Sequence, residues 1–186
     1  MQDIAEDVIK RAIGGDINAF EEILKAYGDL VFNVSLRVLR QREDAEEVSQ
    51  DVFLTLHKKL RDFQGRSSLK TWIYRITMNA AINYSKRTAK MNNRTVEYDE
   101  GALSLDQQGV MPDVAEKEYS ENVVGRLLGL LSVEQRACVV LRNIEGMTYE
   151  EIARALGIDI NSVRSRLKRA RDKMLVVKEE VMQHEL

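Results

Sequence analysis

The chain has 186 residues, 28 Lys+Arg against 30 Asp+Glu, 44% hydrophobic residues and one proline. That apolar fraction, with a net charge of only −2, excludes a disordered chain, and the length suits one domain or two small helical ones. The longest apolar run is five residues, Ala137 to Leu141, too short to cross a membrane, and the first seven residues lack the basic and apolar stretches of a signal peptide.

Helical spacing dominates from the start. Ile4, Ala5, Val8, Ile9 and Ala12 share one face, and Gly14-Gly15 ends that helix. Asp16 is placed to cap the next, whose stripe runs Phe20, Ile23, Leu24, Tyr27, Val31, Val34, Val38. Ala45, Val48, Val52, Leu56 and Leu60 repeat the pattern. The small and polar residues of 62–68 read as a loop, after which Leu69, Trp72, Ile73, Ile76 and Ala80 begin a fourth helix. From about Thr88 the periodicity fades. Residues 89–118 hold seven acids against three bases and the only proline, Pro112, and read as a flexible tether. Val123, Val124, Leu127, Leu128 and Leu131 resume the helical period. Ser132 and Gln135 then fit a capping box ahead of Val133, Ala137, Val140, Leu141 and Ile144. The expected architecture is all-α: two small helical domains, 1–88 and 119–186, joined by an acidic linker over 89–118.

Charge is segregated along this chain. Residues 42–51 carry five acids against Arg42, residues 57–90 carry nine Lys/Arg against Asp62, and residues 162–173 carry six against Asp172. Two basic blocks in a near-neutral protein suit two polyanion contacts; solvated helix faces are the simpler reading of either block alone.

The strongest local motif spans 148–170. Thr148 and Glu151 form a second capping box, Ile152, Ala153 and Leu156 face one way, and Gly157 stands where the chain must turn sharply. Asn161 or Ser162 is expected to cap the next helix, with Val163, Leu167, Ala170 and Met174 on its buried side. Its other faces display Arg164, Ser165, Arg166, Lys168, Arg169 and Arg171. Small-residue crossing, glycine turn and basic second helix are the grammar of a helix-turn-helix, whose second helix fits the major groove of DNA.

In the N-terminal half, a small polar loop (Phe63 to Ser68) precedes an aromatic, basic helix. Unstacked bases need a flat surface or pocket, and their backbone needs cations, so this pairing suits a single strand. Trp72, Ile73 and Ile76 are more simply core residues, which leaves the loop and the exposed Lys/Arg as contacts.

On Asp44–Phe53, Leu69–Asn79, Leu131–Arg136 and the helix-turn-helix, in that order, the chain resembles alternative bacterial sigma factors of the extracytoplasmic-function (ECF) group of the sigma-70 family, from about residue 16 to 175. The resemblance implies a region 2 bundle and a region 4 helix-turn-helix that bind core RNA polymerase, recognise −10 and −35 promoter elements and help open the DNA. It places Glu47, Gln50 and Asp51 on the polymerase-docking face. It places Gln64, Gly65, Arg66, Ser67, Ser68, Lys70, Tyr74, Arg75 and Asn79 against the melted non-template strand of the −10 element. It places Arg164, Ser165, Arg166, Lys168 and Arg169 on the −35 duplex. At Asn83 and Lys168 the chain departs from residues common in the family. An anti-sigma factor is an implied partner, and the implied location is the cytoplasm.

Two other classes compete. A dimeric helix-turn-helix regulator would explain residues 148–175 but neither the basic aromatic block at 57–90 nor the acidic helix before it. An enzyme would need a phosphate loop, a nucleophile elbow or a ligand cluster, and none is legible, so no catalytic residue, metal or cofactor is expected. His57 and His184 lie far apart, and Cys138 sits in an apolar stripe that reads as core.

Overall fold

The computed structural model describes residues 4–96 and 124–184. Among them every regular element is a helix: α1 (Glu6–Ile13), α2 (Ile17–Leu39), α3 (Arg42–Lys59), a 3₁₀ turn (Leu60–Asp62), α4 (Leu69–Val96), α5 (124–129), α6 (Val133–Val139) running into a π turn (Val140–Ile144), α7 (Tyr149–Leu156) and α8 (Ile160–His184).

The N-terminal module is a bundle of α2, α3 and α4, with α1 laid against α2 and the 3₁₀ turn. Asp16 caps α2 as expected, its Oδ1 accepting from the amides of Asn18 at 2.9 Å and Ala19 at 3.2 Å. Those bonds, with Arg11 beside it, hold its carboxyl below the usual range. The predicted stripes are the core: Ile23, Val31, Val34, Val38, Val48, Val52, Leu56, Ile73 and Met78 are all buried. The C-cap of α2 is Arg40 in the left-handed region (φ 68°), the one non-glycine residue with positive φ among those described.

Two local details differ from expectation. The fourth helix does not end near Thr88 but continues to Val96. Its last turns contain no glycine or proline and several good helix formers, so the helix persists after the apolar stripe that betrayed it has ended. The stripe over 133–144 is not one α-helix: it loosens into the π turn, which leaves Ile144 39% exposed while Leu141 stays fully buried. Of the linker expected over 89–118, residues 97–118 lie outside the described residues.

The C-terminal module packs α6 and α7 on α8. Both predicted capping boxes form. Ser132 Oγ accepts from the Gln135 amide at 3.3 Å while Gln135 returns to the Ser132 amide at 3.1 Å. Thr148 Oγ1 accepts from the Glu151 amide at 3.2 Å and Glu151 accepts from the Thr148 amide at 2.8 Å. Cys138 is fully buried, as its stripe suggested.

Candidate nucleic-acid and polymerase interfaces

The helix-turn-helix forms as the spacing predicts. Gly157 closes α7 at φ 64°, ψ 37°, and the Ile158 amide donates to Ala153 O at 3.0 Å. Space around Gly157 is open, so only the backbone conformation demands glycine there. Gly157→Ala should cost about 1–2 kcal/mol through left-handed strain, a loss that urea denaturation will read. The cap of α8 is a correction. Neither Asn161 nor Ser162 occupies it; Asp159 does, accepting from the Ser162 amide at 2.8 Å and the Ser162 hydroxyl at 2.5 Å. Those bonds hold the Asp159 carboxyl below its ordinary range. The helix therefore starts earlier, and Asn161 and Ser162 lie in its first turn.

Val163, Leu167 and Ala170 face the core, while Arg164, Ser165, Lys168, Arg169 and Arg171 are exposed. A concavity of about 370 Å³ opens at the N-terminal end of α8, lined by Asp159, Asn161, Ser162, Ser165, Arg166 and Arg169. Arg164 Nη1 donates to Asn161 Oδ1 at 3.3 Å, which steadies its fork at the surface. Arg166 is only half-exposed. Its positive charge opposes the upward shift that burial gives the Cys138 thiol. One polar residue set therefore presents two arginines and two serines to a shallow, open recess, a shape suited to base edges and phosphates.

The N-terminal loop is equally open. Gln64, Gly65, Arg66, Ser67 and Ser68 are exposed, and Gly65 has φ 66°. Ser68 starts α4, its Oγ accepting from the Thr71 amide at 3.1 Å. Phe63 and Trp72 pack ring to ring, centroids 5.2 Å apart, each partly buried against the core. Trp72 is thus mostly packing, in line with the simpler reading. Arg75, Asn79 and Asn83 follow one another at four-residue spacing and are all exposed. Lys70 lies 5.8 Å over the ring of Tyr74.

Tyr74 does not join that open face. It is 1% exposed, and its hydroxyl donates to Glu145 of the π turn's cap. Burial, then that carboxylate, pushes its ionisation far above the ordinary range. The aromatic–basic composition around it gave no sign of this, because its partner lies 71 residues away.

On α3, Glu47, Gln50, Asp51 and Leu54 recur at helical spacing and all are exposed, Leu54 by 59%. Leu54 is the residue that sequence reasoning did not name: a large apolar side chain displayed within an acidic face. Glu47 is also held from within, accepting from Tyr84 Oη at 3.1 Å and pairing with Arg87 at 3.6 Å. Tyr84 donates to Asp44 as well, at 2.8 Å, and these acceptors, Asp44 foremost, raise its hydroxyl to about 12.

Two family sequence models match: Sigma-70 region 2 over residues 23–91 and Sigma-70, region 4 over residues 121–174, together about two thirds of the chain. Relatives agree. The RNA polymerase sigma-H factor of Pseudomonas aeruginosa is 27% identical over 177 residues, 92% of each chain. The ECF RNA polymerase sigma-E factor of Haemophilus influenzae is 29% identical over 171 residues, covering 89% of this chain and 90% of that one. Solved structures share the fold. The sigma factor RpoE of Bartonella quintana, in complex with the anti-sigma factor NepR, superposes with a TM-score of 0.69 at 22% identity over 88% of this chain and 98% of that one. CnrH, in complex with the cytosolic domain of CnrY, gives 0.65 at 23% identity over 93% and 96%. With region 2 and region 4 in order and an ECF relative along nearly its whole length, the chain belongs to the sigma-70 family as an ECF alternative RNA polymerase sigma factor.

Proposed function

We propose that three surfaces divide the work of this sigma factor. The exposed face of α8 reads the −35 duplex with Arg164, Ser165, Arg166, Lys168 and Arg169. The loop of Gln64, Gly65, Arg66, Ser67 and Ser68, with Lys70, Arg75 and Asn79 on α4, takes the melted −10 strand; Tyr74 joins it only once Glu145 has moved away. Glu47, Gln50 and Asp51, with Leu54, dock on core polymerase. The observation that carries the reading is the cationic, solvent-open first half of α8 beyond a left-handed Gly157. Partly buried Arg166 is the edge of that surface.

The N-terminal module is taken as 1–88, the linker as 89–118 and the C-terminal module as 119–186, with α4 running on to Val96. The chain works where polymerase works, in the cytoplasm, and no helix among the described residues is long and apolar enough to cross a membrane. An anti-sigma factor is a further partner, supported by the Bartonella quintana neighbour, which was solved with the anti-sigma factor NepR. No covalent step is involved. Unstacking a base costs a few kcal/mol, and capture of that base with its phosphates returns it.

The test is run-off transcription with core polymerase and this chain alone, using templates found by sequencing initiated transcripts. Promoter-specific products support the reading; none with any core preparation overturns it. Asp51→Lys should weaken polymerase binding about tenfold or more in fluorescence titration, since it sets a cation in an acidic docking face. Unchanged affinity removes α3 from the interface.

A further inference from the structure

With Asp159 as the cap of α8, Asn161 and Ser162 stand in the first turn of that helix, and both line the recess of about 370 Å³ with Ser165, Arg166 and Arg169. A recognition helix meets base edges with its N-terminal residues. Asn161 is exposed and lies three residues before Arg164, so the two side chains share one face.

Their contact sets the amide. Arg164 Nη1 lies 3.3 Å from Asn161 Oδ1. A guanidinium has donors only, so the amide atom that faces it is the oxygen. That leaves Asn161 Nδ2 without a partner among the described residues, and the oxygen keeps a second lone pair open. One free donor and one free acceptor, side by side on a planar amide, match one base edge in the major groove. Adenine presents N7 as an acceptor beside the N6 amino donor. Guanine presents two acceptors, N7 and O6, so one of them would face the amide oxygen. Thymine offers O4 and a methyl group, and cytosine an amino group with no acceptor beside it.

This end of the recess disfavours a phosphate. Asp159 is the one carboxylate in its lining, and bonds from the Ser162 amide and hydroxyl hold it ionised. A fixed negative charge two residues from Asn161 repels a backbone oxygen and tolerates a base edge that carries an amino group. The cations of the recess, Arg166 and Arg169, lie farther along the helix.

We propose that Asn161 is a specificity-determining residue for the −35 element: its Oδ1 and Nδ2 read a single adenine while Arg164 holds the amide in place. This adds a reader to those assigned above, and it rests on the placement of α8 at the −35 duplex. A bidentate pair of this kind discriminates against a wrong base by roughly tenfold or more.

The experiment uses the full chain with core polymerase on a mapped promoter whose −35 element is randomised, and initiated transcripts are sequenced. Expected for the unaltered chain is one position where adenine exceeds every other base by roughly tenfold or more. Asn161→Ala should flatten that position alone and leave the preferences elsewhere intact. Asn161→Asp keeps the acceptor and loses the donor. Cytosine, whose amino group needs only an acceptor, should then rise to match adenine there, while guanine and thymine stay disfavoured. Circular dichroism checks that each variant keeps its helices. Unchanged base frequencies in Asn161→Ala, an even fall across all sequences, or relaxation at a position that does not prefer adenine overturns the inference. Arg169→Ala on the same library separates it from the reading of α8. If Arg169→Ala relaxes a position while Asn161→Ala relaxes none, Asn161 is no reader and α8 keeps its place. If the unaltered chain shows no base preference across the randomised element, the −35 reading fails and the adenine contact with it.

Discussion

Arg136→Ala lowers the stability of the folded chain by about 3 kcal/mol, the largest single-residue effect expected here. The guanidinium is half-buried and has no acidic partner among the described residues. It donates instead to three carbonyls: Leu128 at 2.8 Å, Leu131 at 2.9 Å, and Val38 of α2. These carbonyls lie at or near the C-terminal ends of helices, where backbone acceptors are left without intrahelical donors and the dipole favours a cation. Truncation takes the side-chain donor from Leu131 and Val38 and leaves Leu128 only the Leu131 amide at 3.2 Å. Burial, and then the neighbouring charge of Arg40, push the guanidinium's ionisation down to about 10, the mark of a cation kept from water. At roughly 2–4 °C per kcal/mol for a chain of this size, the midpoint should fall by about 6–12 °C in a thermal scan. Arg136→Lys should recover only part of that, because one ammonium cannot serve three separated carbonyls as a planar fork does. A midpoint unchanged in Arg136→Ala would show that water fills the place of the guanidinium.

The second large effect is on function. Arg164→Ala with Arg169→Ala should reduce promoter-specific transcription by about 100-fold or more, since each base-reading arginine is worth roughly 1–3 kcal/mol. Both side chains are exposed on α8, away from Val163, Leu167 and Ala170, so the fold has no stake in them. Core polymerase affinity should not change, because the acidic face of α3 is untouched. Lys168→Ala makes the contrast. If Lys168 meets phosphate, affinity falls evenly across sequences and the salt dependence loses about one ion. Titrating holoenzyme onto a mapped promoter fragment and a scrambled one, at two salt concentrations, separates the cases. Equal loss on both fragments for the arginine pair would remove them from base reading.

The site was legible wherever its chemistry is local. The boxes at Ser132/Gln135 and Thr148/Glu151 need only residues three apart, and the left-handed Gly157 follows from the same short stretch. The cap of α8 went astray at this scale too: Asp159, Asn161 and Ser162 are all competent, and only the helix register chooses among them. For α4, periodicity marked the part that packs and missed the solvated extension to Val96, which no apolar stripe records. Trp72 could be weighed as core because its neighbours share its spacing, and Phe63 meets it there.

Tyr74 shows where such reading stops. Its place between Lys70 and Arg75 resembles a strand-binding face, yet Glu145 and the second module cover it. Helical period tells which side of α4 is apolar; it carries nothing about what lies against that side. Caps, turns, helix faces and the segregation of charge are therefore properties of the chain itself, because each depends on residues within about one or two turns of one another. The contacts of Glu145 with Tyr74 and Arg37, and the reach of Arg136 to Val38, join groups 71 to 108 residues apart. Such contacts exist only after two amphipathic modules have found each other, and that choice is made by shape and desolvation between them.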